Sequence, residues 1–208
     1  YHAPQTDGKG VEGLRGNLRQ AVALLQEAGW QWKDGRMVNA KGNPFKFEIL
    51  INDSLDERIA LEYSRALRRI GVTVSLRTVD TAQYIGRLSD FDFDATFNLW
   101  KNSLSPGTEQ GVFWGSRAAL QPGSFNYSGL QSPAIDALID RLTRTTRYDV
   151  LTQVTHALDR VLMHSAFGVP LYYAPYDMVA YRNRLAMPET TPIFGPIPES
   201  WWEKPSEK

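Results

Sequence analysis

The sequence contains no cysteine. That excludes a disulfide scaffold, a thiolate metal site and a cysteine nucleophile. It leaves the compartment open, because cysteine-free chains occur in reducing and oxidising spaces alike. Excess charge is missing too: 23 Lys and Arg balance 23 Asp and Glu. Such a chain gives no electrostatic reason to expect a nucleic acid or an anionic membrane as partner. Its basic pairs, Arg68-Arg69 and Arg182/Arg184, read as solvated faces. No apolar run is long enough to span a bilayer, and no signal peptide is visible. The chain opens on Tyr1 rather than Met and reads as a mature or excised piece. Histidines are few and scattered: His2, His156 and His164. The last two fall two turns apart on one predicted helix, beyond shared coordination, so neither a metal nor a cofactor is expected. Catalytic signatures are absent as well. There is no G-x-S-x-G elbow and no phosphate loop, and Gly107-Thr108 and Gly115-Ser116 have no partner histidine nearby.

What is present is ordinary globular protein. The 208 residues are 42% hydrophobic and 22% charged, enough for one ample core or two small ones. Organisation centres on Phe91-Asp92-Phe93-Asp94-Ala95-Thr96-Phe97-Asn98-Leu99-Trp100, whose alternation predicts a strand. It opens into a polar loop, Lys101 to Gly107. A strand that ends in an aromatic and a polar loop builds a cleft at the carboxyl ends of an α/β sheet.

Around it, residues 1–16 hold four glycines and read as a lead-in loop. Asn17 is expected to cap a helix from Leu18 to Ala28 that stops at Gly29. Asp34-Gly35 marks a hairpin between residues 30–33 and 36–38. Residues 45–51 form a predicted strand. Ser54-Leu55-Asp56-Glu57 reads as a capping box for a helix with Ile59, Tyr63, Ala66, Leu67 and Ile70 inward, ending at Gly71. A strand over 72–79, a short helix over 81–88 and the central strand follow. This order implies an α/β fold, a mixed sheet flanked by helices with largely parallel neighbours.

Glu109 to Trp114 suits one or two helical turns, and the long segment 115–129 is expected to be ordered by its aromatics. Ser132-Pro133 starts a helix to about Thr143, Tyr148 to His164 forms another, and Gly168 to Tyr173 reads as a short strand. Six prolines between Pro175 and Pro205 mark a tail that includes Trp201-Trp202.

Four pieces of this order resemble the C-terminal lobe of family 5 extracellular solute-binding proteins, the oligopeptide, dipeptide and nickel receptors of bacterial ABC importers. They are Ala21 to Lys33 with Asp34-Gly35; Leu67 to Val74 around Ile70-Gly71-Val72; Tyr84 through Phe91-Asp92-Phe93-Asp94 to Trp100; and Asn126 to Ile139. Ser105 to Gln110, Phe113 to Ser116 and Trp201-Trp202 resemble the subgroup tied to oligopeptide and microcin C-type uptake. The resemblance implies a single lobe of the periplasmic binding protein-like (type II) fold. Its expected parts are a lead-in or hinge segment, 1–16, a ligand-binding lobe, 17–174, and a Pro-rich returning tail, 175–208. Hinge crossings would fall near 3–10 and 172–178.

The implied function is capture of an oligopeptide or peptide-like ligand for import. The implied partners are an N-terminal lobe absent here and an ABC permease, in a periplasmic or extracytoplasmic setting. Trp100 falls on the family position that lines the ligand pocket. Asn98, Asn102 and Ser103 are candidates to hydrogen-bond a peptide backbone, and Glu109, Trp114 and Asn126 complete the ligand-binding set. Oligopeptide and dipeptide receptors of the family usually place an aspartate about three residues after this tryptophan to hold the ligand's ammonium group. Here that position is Ser103, so another acid, Glu109, is the candidate substitute, or the ligand is held differently.

Other readings stand beside this one. Trp100 also suits a core aromatic at a strand end, and the polar loop residues suit turn capping. Asp90, Asp92 and Asp94 begin like a calcium loop, but Ala95 replaces its glycine and Lys101 its closing acid. A hydrolase built on cleft carboxylates such as Asp92 and Glu109, or a protein-interaction module at loop 101–131, are the alternative functions. The acceptor patterns Asn52-Asp53-Ser54 and Asn126-Tyr127-Ser128 are common by chance.

Overall fold

The computed structural model describes residues 11–100, 102–172, 176–193 and 195–205. The first element is α1 (Val11–Glu27), followed by the hairpin β1 (Gln31–Lys33) and β2 (Arg36–Val38). Next come β3 (Lys46–Ile51), α2 (Ser54–Arg68), β4 (Thr73–Thr78), α3 (Thr81–Ser89) and β5 (Ala95–Thr96). Three helices complete this region: α4 (Glu109–Trp114), α5 (Pro133–Arg144) and α6 (Tyr148–His164). The last two strands are β6 (Leu185–Ala186) and β7 (Trp202–Glu203). The chain divides into two compact units, Tyr1–Phe167 and Gly168–Lys208.

In the first unit β3 is the central strand, with β4 and β5 parallel on either side. Parallel neighbours need crossovers, and α2 and α3 supply them. One core joins sheet and hairpin: Met37, Ile70 and Val72, covered by Leu18, Val22, Leu25, Trp30 and Phe45. Another joins β3 to α2 through Ile49, Ile51 and Ala60. A third belongs to the helices, where Trp114, Ile135, Ile139, Leu142, Val154 and Leu158 interlock. Each fully buried aliphatic side chain here contributes about 1.5–3 kcal/mol.

Four expectations are corrected by this structure. Helix α1 begins at least seven residues before Leu18, and Asn17 lies inside it. Gly13 and Gly16 cost the helix about 1 kcal/mol each. The apolar face of Leu18, Ala21, Val22 and Leu25 packs on the Met37 core and carries the helix through them. Helix α2 is capped by Asp53, one residue before the capping box, because its carboxylate accepts the Leu55 N–H at 2.7 Å. Of its expected inward face, Leu67 and Ile70 do pack in the Met37 core, whereas Tyr63 is 41% exposed and Ala60 and Ser64 are buried as well. Small residues let the helix approach β3 closely.

The predicted strand over 91–100 shrinks to Ala95–Thr96. Phe91 is left-handed, at φ 55°, and closes α3: the Asp92 N–H reaches Arg87 O at 2.8 Å. The alternating acids are turn ligands. Arg87 Nε donates to Asp92 Oδ2 at 2.9 Å, its other arm reaches Glu48 at 3.1 Å, and Asp94 accepts the Glu48 N–H at 2.9 Å. Finally, residues 168–172 form no strand. Pro170 lacks an N–H, and Val169, Leu171 and Tyr172 stay exposed with no paired edge among the described residues. Tyr173 of that predicted strand lies outside the described residues, as do the expected hinge crossing at 3–10 and residues 173–175 of the other crossing.

The second unit is small. Its two strands pair antiparallel, Ala186 opposite Trp202, and Tyr181 meets Trp201 edge-on at 5.5 Å.

Gly71 shows how tightly the first unit is joined. It ends α2 at φ +75°, and its carbonyl accepts the Met37 N–H at 2.9 Å. A Cβ there would meet Met37 N at 2.7 Å and the Trp32 ring at 2.8 Å. Gly71→Ala is therefore expected to destabilise the protein by about 3 kcal/mol, combining left-handed strain with a backbone clash. Urea denaturation measures it, and a change within about 0.5 kcal/mol would contradict this packing.

Candidate functional site

The carboxyl edge of the sheet is where β3, β4 and β5 all end. Asp53 and Asp80, which follow the first two strands, are spent capping α2 and α3. Only β5 opens into a free-standing polar loop. Its exit is fixed by Tyr84 on α3, whose hydroxyl lies 2.8 Å from Thr96 Oγ1 and donates to Phe97 O at 3.0 Å. Burial pushes the Tyr84 phenol up, the Thr96 hydrogen bond opposes this, and the Asp56 charge adds to it. A neutral phenol is what a donor to a carbonyl requires.

Beyond that exit, Asn98 is exposed and Trp100 half-buried. The Trp100 ring lies 4.8 Å from Trp114 and meets Phe167 edge-on at 6.1 Å. Its indole N–H is buried and finds no acceptor among the described residues. Trp114 in turn is 6% exposed and belongs to the helical core. Its indole N–H donates to Gln110 Oε1 at 3.2 Å. Gln110 Nε2 donates onward to Asn102 Oδ1 at 3.0 Å and to Glu109 Oε1 at 3.2 Å. The structure thus gathers Asn102, Glu109 and Trp114 around Gln110, with Trp100 packed on Trp114, although Gln110 is not among the expected site residues. Gln110 carries no charge, and in the sequence it stands out only as the last residue of the Ser105 to Gln110 stretch. The available signal was its i, i+4 spacing to Trp114 on a helix.

The other candidates are placed differently. Ser103 closes on its own loop, donating to Ser105 O at 2.9 Å and accepting the Ser105 N–H at 3.2 Å. Asn126 is fully buried, at 0% exposure, and its amide is committed. Nδ2 donates to Gly115 O and Leu130 O, both at 3.0 Å, and Oδ1 accepts the Ser128 hydroxyl at 2.7 Å. Asn126 therefore ties the loop over 115–131 together and offers a ligand nothing in this conformation. Edge-on aromatic pairs run along the same loop: Phe113 with Phe125, Phe125 with Tyr127, and Tyr127 with Phe93.

Asp92 and Glu109, the cleft carboxylates of the hydrolase alternative, are each engaged locally. Asp92 is held by Arg87 before β5 begins, whereas Glu109 starts the helix beyond its end. Among the described residues no group of three His, Asp or Glu side chains could hold a metal ion, and no helix is long and apolar enough to cross a membrane. Beside the loop, Leu104, Pro106, Tyr148, Leu151, Thr152, Thr155 and His156 line an open depression of about 160 Å³.

Comparison with known proteins identifies the lineage. Residues 1–119, more than half of the chain, match the family described as bacterial extracellular solute-binding proteins, family 5, middle region. The probable peptide-binding protein YejA of Agrobacterium fabrum is 43% identical over 90% of this chain and 31% of its own length. The peptidoglycan-binding protein YepA of the same organism is 39% identical over 98% of this chain and 33% of its own. The chain thus spans about a third of the length of the curated relatives it matches. Among solved structures, the oligopeptide-binding protein AppA of Bacillus subtilis, in complex with a nonapeptide, superposes with a TM-score of 0.65 at 22% identity. That match covers 72% of this chain and 30% of AppA, and it shows the shared fold.

Glu109 gives the site a pH signature. Burial pushes its carboxyl up, but hydrogen bonds from the Gly107 N–H, its own backbone N–H and the Gln110 amide outweigh that and hold it below the ordinary value. A carboxylate lowered in this way adds stability that is fully present above its unfolded value, about 4.3, and is lost as pH falls through the lower folded value. Glu109→Gln is expected to be less stable than the native chain at neutral pH, with the gap closing in acid below about pH 4. Urea denaturation across that range measures it; a gap independent of pH would contradict the assignment.

Proposed function

The chain belongs to the bacterial extracellular solute-binding proteins of family 5, and from that premise we propose that it forms one side of a peptide-binding cleft. The ligand lies at the carboxyl end of β5, against Trp100 and the loop that carries Asn102 and Glu109. The observation that carries this reading is the Trp100 ring: a half-buried aromatic just beyond the strand, packed on the buried Trp114 at 4.8 Å and followed directly by the polar loop. A peptide plane or side chain laid against it gains about 1 kcal/mol beyond area burial. Its N–H is itself buried and is not what the ligand reaches.

The usual aspartate for a ligand ammonium is replaced here by Ser103, whose hydroxyl is engaged with Ser105. Glu109 takes that role in this reading. One carboxylate oxygen accepts from Gly107 and Gln110, which leaves Oε2 to meet a cation. The name of YejA, a probable peptide-binding protein, and the nonapeptide bound by AppA support a peptide ligand. The name of YepA widens the class to peptide-like ligands of peptidoglycan origin.

In the full-length protein a second lobe closes over the ligand, and the closed form docks on an ABC permease at the inner membrane, in the periplasm or an equivalent extracytoplasmic space. One lobe alone binds weakly. If the whole receptor reaches about micromolar affinity, near −8 kcal/mol, half of the contacts at about −4 leave only about millimolar.

Native mass spectrometry of the gently purified full-length protein, followed by denaturation, tests this reading. Peptides or peptide-like compounds in the released fraction are the expected result. A released sugar or metal would overturn the ligand class, and a protein that stays empty when offered peptide pools would overturn the function.

A further inference from the structure

Gln110 is 5% exposed, and all its polar atoms are engaged. Its amide has only one workable orientation, because the Trp114 indole N–H can donate but never accept. The oxygen of Gln110 must therefore face Trp114, and its nitrogen must face the loop. That choice propagates. Asn102 receives the Gln110 N–H on its own oxygen, at 3.0 Å, so the Asn102 NH2 group turns outward from an exposed side chain. Glu109 spends Oε1 on the Gln110 and Gly107 N–H groups.

We infer that Gln110 is a positioning residue that sets the polarity of the cleft rim. It presents a donor at Asn102 beside an acceptor at Glu109, matched to a ligand segment with a carbonyl next to an ammonium or amide N–H. This rests on the peptide reading above. The core and the rim are linked in one relay, Trp114 to Gln110 to Asn102, in which a donor-only indole dictates which end of an exposed amide faces the ligand. Gln110 touches no ligand itself.

Gln110→Glu tests the relay. The ionised carboxylate can still accept from Trp114, but it has no proton for Asn102, so the Asn102 amide must reverse and turn its NH2 inward. Once protonated, the carboxyl has one O–H where Gln110 has two N–H groups, and Asn102 Oδ1 and the Glu109 carboxylate compete for it, so the native arrangement returns only in part. Two readouts on the full-length protein separate the possibilities. Solvent exchange of the Asn102 side-chain NH2, followed by NMR and referred to the native protein at the same pH because amide exchange is base-catalysed, should be protected in Q110E at about pH 8 and less so at about pH 5. Affinity for tetra-alanine, by calorimetry and compared with the native protein at the same pH because the peptide's α-amino group titrates near about 8, should fall at least about tenfold in Q110E at the higher pH and by less at the lower.

Trp114→Phe, which keeps a ring but removes the donor, provides a second variant and should give partial protection of the Asn102 amide. An Asn102 amide that exchanges alike in all three proteins would overturn the inference. So would reversal of Asn102 with no loss of tetra-alanine binding. A native protein that ignores tetra-alanine counts against the peptide reading instead, and the exchange data then decide the relay by themselves.

Discussion

The Trp114 indole is the constraint on which the rest of this structure depends. Its ring belongs to the core of α5 and α6, packed with Ile135, Ile139, Leu142, Val154 and Leu158. The same ring supports Trp100 at 4.8 Å and, through Gln110, the polar rim. Apolar packing therefore holds the ring, the ring's one donor orients an amide, and that amide orients the loop. A site built this way inherits the rigidity of a core that interlocks at near-crystalline density. It needs little order of its own, which suits a loop rich in Ser, Pro and Gly.

A second constraint keeps that core joined to the sheet. The segment 115–131 is long for a connection, yet its backbone is fastened at several points. Asn126 spans it from within, the Ser116 N–H donates to Asp136 at 2.9 Å, and the Gly123 N–H reaches Ser89 O at 2.8 Å at the end of α3. Phe125 and Tyr127 continue the aromatic contacts toward Phe93. The exit of β5 is thus held on one side by Tyr84 and on the other by the helical core. Long loops in compact domains are usually functional; in the proposed site this one carries the support, and residues 98–109 form the proposed ligand edge.

Much of this was legible in the sequence where local and tertiary preferences agree. Asp34-Gly35 makes the hairpin, and Ser132-Pro133 opens α5 with the Ser132 hydroxyl at the Ile135 N–H. Helix α6 runs over Tyr148–His164 as its periodicity implies. Legibility failed where distant partners decide. Phe91 to Asp94 alternates like a strand, but Arg87 and Glu48 hold its acids as turn ligands, and Phe91 takes a conformation usually left to glycine. Asn17 has the chemistry of a cap, yet an apolar face two turns long carries α1 past it.

Within the proposed site, Trp100 stands out in the sequence as an aromatic at a strand exit. Asn126 looked the same as Asn102 in the sequence; only burial distinguishes an amide that ties a loop from one that faces outward. The role of Gln110 was not legible, because a neutral amide announces nothing until its neighbours are known.

The central claim is that ligand meets this chain along the loop after β5. Hydrogen–deuterium exchange on the full-length protein, with and without the ligand released from it, tests that most directly. The account predicts new protection concentrated in residues 97–110, with the backbone of α5 and α6 unchanged because the core is already ordered. Protection confined to the amino-terminal edge around Arg87 and Asp92, or to the outer face of α6, would contradict it.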